Sequence, residues 1–254
     1  MAIEIFTRRE QKYLITVDQY RQLLLRAGSR LRPDKNGKDG RYTVTTLYFD
    51  NDESTIYFEV KNRLKFRQKL RLRVYDTPGP DGKAFFETKQ KNRKITHKRR
   101  TVLPLKEAYR YLREGGAVPL EDFDTTNVQV LKEIDRFRRH YRLHPEMVVS
   151  YDRHALHQTD DPSVRVTFDF NLRCREEDLG VEKGPYGHHF VDPGLVILEV
   201  KVDNSVPLWL ARVLQETGCL QKSESKFCTA HELLAERRPQ PHEHAYEQML
   251  IGGY

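Results

Sequence analysis

Arginine and lysine recur at every second position in several short stretches of this chain. In "KLRLRVY", residues 69–75, an extended backbone turns Leu70, Leu72 and Val74 one way and Lys69, Arg71 and Arg73 the other. The same alternation puts Glu87, Lys89 and Lys91 on one face of "AFFETKQK", and Lys94, Thr96, Lys98 and Arg100 on one face of "RKITHKRRTV". In "VRVTFDFNLRCR" it separates an apolar face, Val164 to Cys174, from Arg165, Thr167, Asp169, Asn171, Arg173 and Arg175. In "LVILEVKVD" it sets Glu199, Lys201 and Asp203 opposite Val196, Leu198, Val200 and Val202, and in "VVSYDR" Arg153 follows Val149 and Tyr151. Guanidinium forks match phosphate oxygens, and ammonium groups add point charges. Carboxylates among them, Glu87 and Glu199, suit a hard divalent cation that joins carboxylate to phosphate oxygens.

Any one such strand is explained by a solvated face over an apolar core. Several together are not, because like charges placed across neighbouring strands destabilise a sheet unless something anionic neutralises them. The pattern therefore predicts an inverted arrangement. It is an α+β fold built on a closed antiparallel β-barrel of about eight strands, with the charged faces lining a tunnel and the helices packed on the apolar outside.

The whole chain agrees with an anionic ligand. It has 254 residues, with 44 Lys and Arg against 37 Asp and Glu, giving a net charge of +7. The 13 Tyr and 12 Phe supply a core and argue against disorder. Cys174, Cys219 and Cys228 form neither a disulfide framework nor a metal-binding spacing, which fits a reducing compartment. The start, "MAIEIFTRREQKY", lacks an apolar signal core, and there is no apolar run long enough to span a bilayer; a cytoplasmic location is expected.

The elements that must hold these residues are readable in outline. Strands are expected at 42–49, 69–75, 84–91, 93–102, 147–153, 164–175 and 195–203. Helices are expected in "LITVDQYRQLLLRA", "LPLKEAYRYLREGG", "NVQVLKEIDRFRRHYRL" with Asn127 as its cap, "PLWLARVLQETG" and "SKFCTAHELLAE". One domain is expected over 1–236, with a loosely attached tail at 237–254.

In this order the chain resembles the VTC domains, the polyphosphate polymerase modules of the triphosphate tunnel metalloenzyme superfamily. The motifs are "REQKYLI", "TLYFD", "LRLRVY", "FFETKQK", "YDR", "RVTFD", "ILEVK" and "SKF", spread from about Phe6 to Leu234. The resemblance implies an antiparallel tunnel that binds ATP by its phosphates and transfers the γ-phosphate to a growing inorganic polyphosphate chain. It implies Lys12, Arg71, Arg73, Lys89, Lys98, Arg153, Arg165 and Lys226 as phosphate-binding and catalytic residues, with Lys201 lining the tunnel. Glu199 stands as the implied ligand for Mn²⁺ or Mg²⁺, joined by Glu87 and Glu10 as further candidates. ATP and polyphosphate are the implied partners; nucleic acid is not expected, and a membrane-protein partner would leave no mark in this sequence.

One departure bears on the reaction. Triphosphatases of the superfamily open with ExExK, whereas Arg8 stands here where the first glutamate would be. Fewer carboxylates favour transfer to a phosphate end over hydrolysis. The alternatives are a tunnel triphosphatase, a non-catalytic polyphosphate or nucleotide binder, and a nucleic-acid-binding barrel. The last is disfavoured because its basic faces would carry stacking aromatics. His97, His154 and Trp209 are read as structural, "HEHAYE" as a polar tail, and Asp169 and Asp203 as partners of arginine rather than metal ligands.

Overall fold

The computed structural model describes residues 9–93, 95–222 and 225–238. Arg8, Lys94 and the tail from 239 lie outside the described residues. The strands are β1 (Arg9–Thr16), β2 (Leu31–Pro33), β3 (Arg41–Asp50), β4 (Phe66–Tyr75), β5 (Lys83–Asn92), β6 (Ile95–Pro104), β7 (His144–Gln158), β8 (Arg165–Arg175), β9 (His188–His189) and β10 (Leu195–Val202). The helices are α1 (Val17–Ala27), α2 (Thr55–Lys61), α3 (Leu105–Glu114), α4 (Val128–His140), α5 (Leu208–Glu216) and α6 (Lys226–Arg237). Asn127 caps α4 by accepting from the Val130 amide, as its type and place predict.

One antiparallel sheet runs β1-β10-β8-β7-β3-β4-β5-β6, with β2 and β9 attached beside it. Most of its apolar core lies on the outer face. On the inward face, however, Tyr48, Val149 and Cys174 pack beneath Phe227 and Ala230 of α6, so that helix covers the inner side rather than the outside. Leu70, Leu72 and Val74 are fully buried in a cluster that includes Phe86 and Leu103, with Tyr111 of α3 and Ile134 of α4. A second cluster sets Val166, Phe168, Val196, Leu198 and Val200 against Tyr20 and Leu23 of α1 and Leu210 and Val213 of α5. Each such side chain contributes roughly 1.5–3 kcal/mol on leaving water. That gain on the outside holds the charged faces inward. No helix among the described residues is long and apolar enough to cross a membrane.

Two expectations need correction. The sheet is curled but not closed: among the described residues no pairing joins β6 to β1. The backbone of β1 has another partner, since Tyr13 bridges to Gln221 and the Lys222 amide donates to the Lys12 carbonyl at 2.8 Å. Side chains still approach across the gap, Glu10 of β1 lying 4.0 Å from Lys89 of β5, the strand next to the far edge. Second, simple alternation fails in β8. The β7–β8 register shifts between Ser150 and Asp152, and Asn171 on the facing part of β8 adopts a left-handed backbone (φ 50°). Beyond this bulge the faces exchange, and Cys174 sits in register with Val149. Arg173 and Arg175 turn out to the 178–189 region, where they bond the Asp178, Gly180, Gly184, Pro185 and Tyr186 carbonyls.

Candidate functional site

The inward faces carry two differently balanced walls. The first is built by β1, β10, β8 and β7 with the start of α6. Register places Lys12 opposite Glu199 and Glu10 opposite Lys201 across β1 and β10, and Asp169 opposite Arg153 across β8 and β7. Ser225 caps α6 through the Cys228 amide, which brings Lys226 into the interior. The Glu199 carboxylate then lies 2.9 Å from Lys226, 3.0 Å from Lys201 and 3.6 Å from both Lys12 and Arg153. Asp169 takes two bonds from Arg153, at 2.6 and 2.8 Å, and lies 2.7 Å from Lys226. Arg153 and Lys226 both lie 5.1 Å from the Tyr151 ring, which adds a cation–π contact to each. Pairing of Asp169 with arginine is thus what the structure has.

Burial alone would raise the pKa of Glu199, but Lys201, Lys226, Lys12 and Arg153 overcome it and hold the carboxylate well below its ordinary range. Burial likewise opposes the charge on Lys226, yet Asp169 and Glu199 keep it firmly protonated. Glu10 sits against burial and the repulsion of Glu199; Lys201, Lys89 and Lys12 nevertheless draw it down to about 2. This wall is an ion-paired network in which each charge has a counterpart.

The second wall is β4, β5 and β6. Glu87 is its one carboxylate, fully buried and held by Arg71 Nε and Nη2 at 2.8 and 2.7 Å, by Lys98, and by Arg100 at 3.7 Å. Arg73 donates Nε to Thr46 Oγ1 at 3.1 Å. Next to Glu87 the register stacks Lys69, Lys89 and Lys98 directly across three neighbouring strands, and then Arg67 across from Lys91. Such like-charge neighbours are unfavourable without a counter-ion. Burial, against support from Cys228 and alongside Lys89, Lys12 and Arg71, drops Lys69 to a pKa of about 7. For Lys89, the support of Glu10 is outweighed by burial, Lys12 and Lys201, leaving about 8. Burial first, then Arg71 and Arg100, brings Lys98 to about 8 despite Glu87. The Lys89 and Lys98 side chains remain 41% and 43% exposed, so an anion has room to reach them.

The structure therefore brings Lys12, Arg153, Lys201, Lys226, Glu199 and Glu10 into one network, and Arg71, Lys98 and Glu87 into another, with Arg73 and Lys89 on the same inward faces. Arg165 stands apart. It lies on the Asp169 face, but it pairs with Asp34 at 2.9 Å and with the Tyr42 hydroxyl at 3.0 Å. His154 faces outward, bonded to Tyr20; burial and then Arg41 lower it to about 4, so it is neutral at physiological pH. Lys69 is missing from the motif-based set although "KLRLRVY" displays it. Its bond to Ser225 Oγ at 2.8 Å and its place 5.3 Å from the Phe227 ring come from the fold of α6.

The three carboxylates proposed for a metal do not converge. Among the described residues no group of three or more acidic, histidine or cysteine side chains stands ready for an ion. Glu87 belongs to the other wall, held by Arg71, Lys98 and Arg100, and has no second carboxylate on that wall. Glu10 and Glu199 are neighbours that share Lys12 and Lys201. Thr167, across from Glu199, adds a buried hydroxyl without a hydrogen-bond partner in the structure. Two carboxylates and a hydroxyl fit a hard cation that takes its remaining ligands from phosphate or water.

An antiparallel sheet curled around a cationic interior, with most of its apolar core on the outside, defines the class of molecule. Within it, the chain belongs to the VTC domain family, whose model matches residues 7–235. It is 25% identical over 227 residues to subunit 4 of the vacuolar transporter chaperone complex of Trypanosoma cruzi (strain CL Brener). That match covers 74% of this chain and 27% of the relative, so the chain spans about a quarter of the longer protein. A candidate adenylyl cyclase from Hippeastrum, described as revealing a dominant triphosphatase activity, has a similar fold. Its TM-score is 0.51 at 14% identity, covering 91% of this chain and 97% of that one.

Proposed function

We propose that this chain is an ATP-dependent polyphosphate polymerase, with the triphosphate lying along the β4–β5–β6 wall. The observation that carries the reading is the rung of Lys69, Lys89 and Lys98, three inward cations without enough carboxylate beside them. A linear polyanion supplies the missing charge. Family membership and the 25% identical relative support the same substrate class.

In this reading a terminal phosphate oxygen of the acceptor chain forms a bond to the γ-phosphorus of ATP. The bond from that phosphorus to the β,γ-bridging oxygen breaks, and ADP leaves with the electron pair. The acceptor oxygen is already ionised, so no general base is required; the inward-facing His157 is instead bonded to Asp34 beside Arg165. Arg71 and Arg73 orient phosphate oxygens, with Glu87 fixing the Arg71 fork. Lys89, Lys98 and Lys69 offset charge as it spreads over the transferred group. Lys226, Arg153 and Lys12, pinned by Glu199 and Asp169, keep the opposite wall in place. A divalent ion, Mn²⁺ or Mg²⁺, would be held by Glu199 and Glu10 and would supply Lewis-acid neutralisation of phosphate charge.

The test is purified protein with ATP and Mn²⁺, resolved on a gel stained for polyphosphate. Long polymer is expected from the wild type, with a loss of at least about a hundredfold in Arg73→Ala and Glu199→Gln. Phosphate release without polymer would make the chain a triphosphatase. Binding of polyphosphate with no turnover would make it a binding module. Wild-type synthesis by both variants would remove the site assignment.

A further inference from the structure

Four of the eight large apolar side chains that stand exposed among the described residues gather at one corner of the sheet. Phe58, Leu64, Phe66 and Ile95 are 53%, 48%, 46% and 50% open. Isolated exposed apolar residues need no explanation, but a cluster with a basic surround does. Phe58 belongs to α2, which packs on β4; Leu64 lies in the turn that follows; Phe66 opens β4. Phe66 pairs with Asn92, and Asn92 with Ile95, across β4, β5 and β6. The Arg93 amide donates to the Lys65 carbonyl, tying the β5–β6 turn to the entry of β4.

Basic side chains dominate the turn and hairpin side of this corner, with Glu59 and the Lys61–Glu232 pair on its α2 side. Residues 60–75 and 88–106 contain no Asp or Glu, and they bring Arg63, Lys65, Arg67, Lys91 and Arg93 to the same edge. At the opposite end of these strands, the β4–β5 connection at 76–82 carries Asp76 and Asp81. The basic edge is thus local to one rim.

We propose that this corner docks the protein on an anionic lipid bilayer. Leu64, Phe66, Ile95 and Phe58 enter the interface, and Arg63, Lys65 and Arg93 meet headgroup phosphates. A linear polyanion would use the cations but gains nothing from four exposed apolar groups. The short helix α2, a turn and a hairpin tip share this edge, and scattered exposed apolar groups beside basic ones suit a deformable lipid surface. Apolar insertion and basic attraction together are what stable interfacial binding needs. Such docking is independent of the reaction in the tunnel.

Flotation of the full chain with vesicles tests it, comparing phosphatidylcholine alone with a phosphatidylcholine–phosphatidylserine mixture. Wild type is expected to float only with the anionic vesicles, and less as salt rises. The double variants Leu64→Ser/Phe66→Ser and Arg63→Glu/Lys65→Glu should each weaken this by roughly tenfold or more. Their thermal midpoints and any ATP turnover should stay at the wild-type level, since these side chains are exposed. Failure to float with anionic vesicles overturns the proposal. So does loss in the arginine–lysine variant with none in the leucine–phenylalanine variant, which would mark a track for a polyanion. Capture of an acidic protein at this corner without vesicle binding would equally count against it.

Discussion

The two inward walls of the sheet use the same residue types to different ends. On the β1–β10–β8–β7 side, Lys226 sits between Asp169 and Glu199, and Arg153 is clasped by Asp169. On the β4–β5–β6 side, Glu87 alone faces Arg71, Lys98 and Arg100, while Lys69 and Lys89 stack beside it. A cation in the first wall is part of the fold. In the second, Arg71 is likewise held by Glu87, but the stacked Lys69, Lys89 and Lys98 are crowded by one another, and burial with like charge opposes their protonation. A count of basic residues cannot tell these apart; the location of the carboxylates does.

Removing one cation from each wall should break the symmetry most sharply. Lys226→Met leaves two buried carboxylates short of a partner and is expected to cost about 3–5 kcal/mol, read as a fall in thermal or denaturant midpoint. Lys69→Met relieves crowding, so the empty protein should be as stable as wild type or more so, while tripolyphosphate affinity falls roughly tenfold. Equal destabilisation by the two variants would end the distinction. Calorimetry and ligand titration on the same preparations give both readings.

The pH dependence follows with a definite sign. Lys69, Lys89 and Lys98 have folded pKa values of about 7, 8 and 8, below the ordinary 10.5. Between those values and 10.5 the unfolded chain holds more protons than the folded one, so their contribution makes stability grow with rising pH and fall as pH drops through the window. Denaturant midpoints from pH 7 to 10 should show this slope in Lys69→Met less than in wild type. Saturating tripolyphosphate should flatten it, because the bound anion restores the lysine charge.

The smallest effect is expected at Arg165. Its pairing with Asp34 and Tyr42 keeps it away from both carboxylate networks, so Arg165→Ala should reduce polymer synthesis less than about fivefold. A loss equal to that of Arg73→Ala would place the working site nearer this rim.

Much of the arrangement is legible in the sequence because strand alternation is unforgiving: the inward set Arg71, Arg73, Glu87, Lys89, Lys98, Glu199 and Lys201 follows from parity alone. What escapes is what parity cannot see. Asn171 adds one residue to β8 and turns Arg173 and Arg175 outward. "REQKYLIT" is a strand that runs straight into α1, with Thr16 and Gln19 forming a capping box, so helical periodicity beginning at Leu14 hides it. Helix α2, seven residues held by backbone bonds to Asp50, is too short to show a period. Closure of the sheet is likewise undecidable from strand patterns, because it depends on Gln221 and Lys222 meeting β1. Lys226 is visible as a motif lysine, but its joint hold on Asp169 and Glu199 needs the tertiary fold.

If the β4–β5–β6 wall is short of negative charge until a phosphate chain enters it, its lysines must take up protons as the chain binds. Proton uptake on binding measures this directly. Tripolyphosphate titrated into metal-free protein at pH 8, in two buffers of different ionisation enthalpy, should draw in roughly one to two protons per site as the lysines recharge. Lys69→Met should draw in fewer. Binding with no uptake, or uptake unchanged in Lys69→Met, would contradict the account.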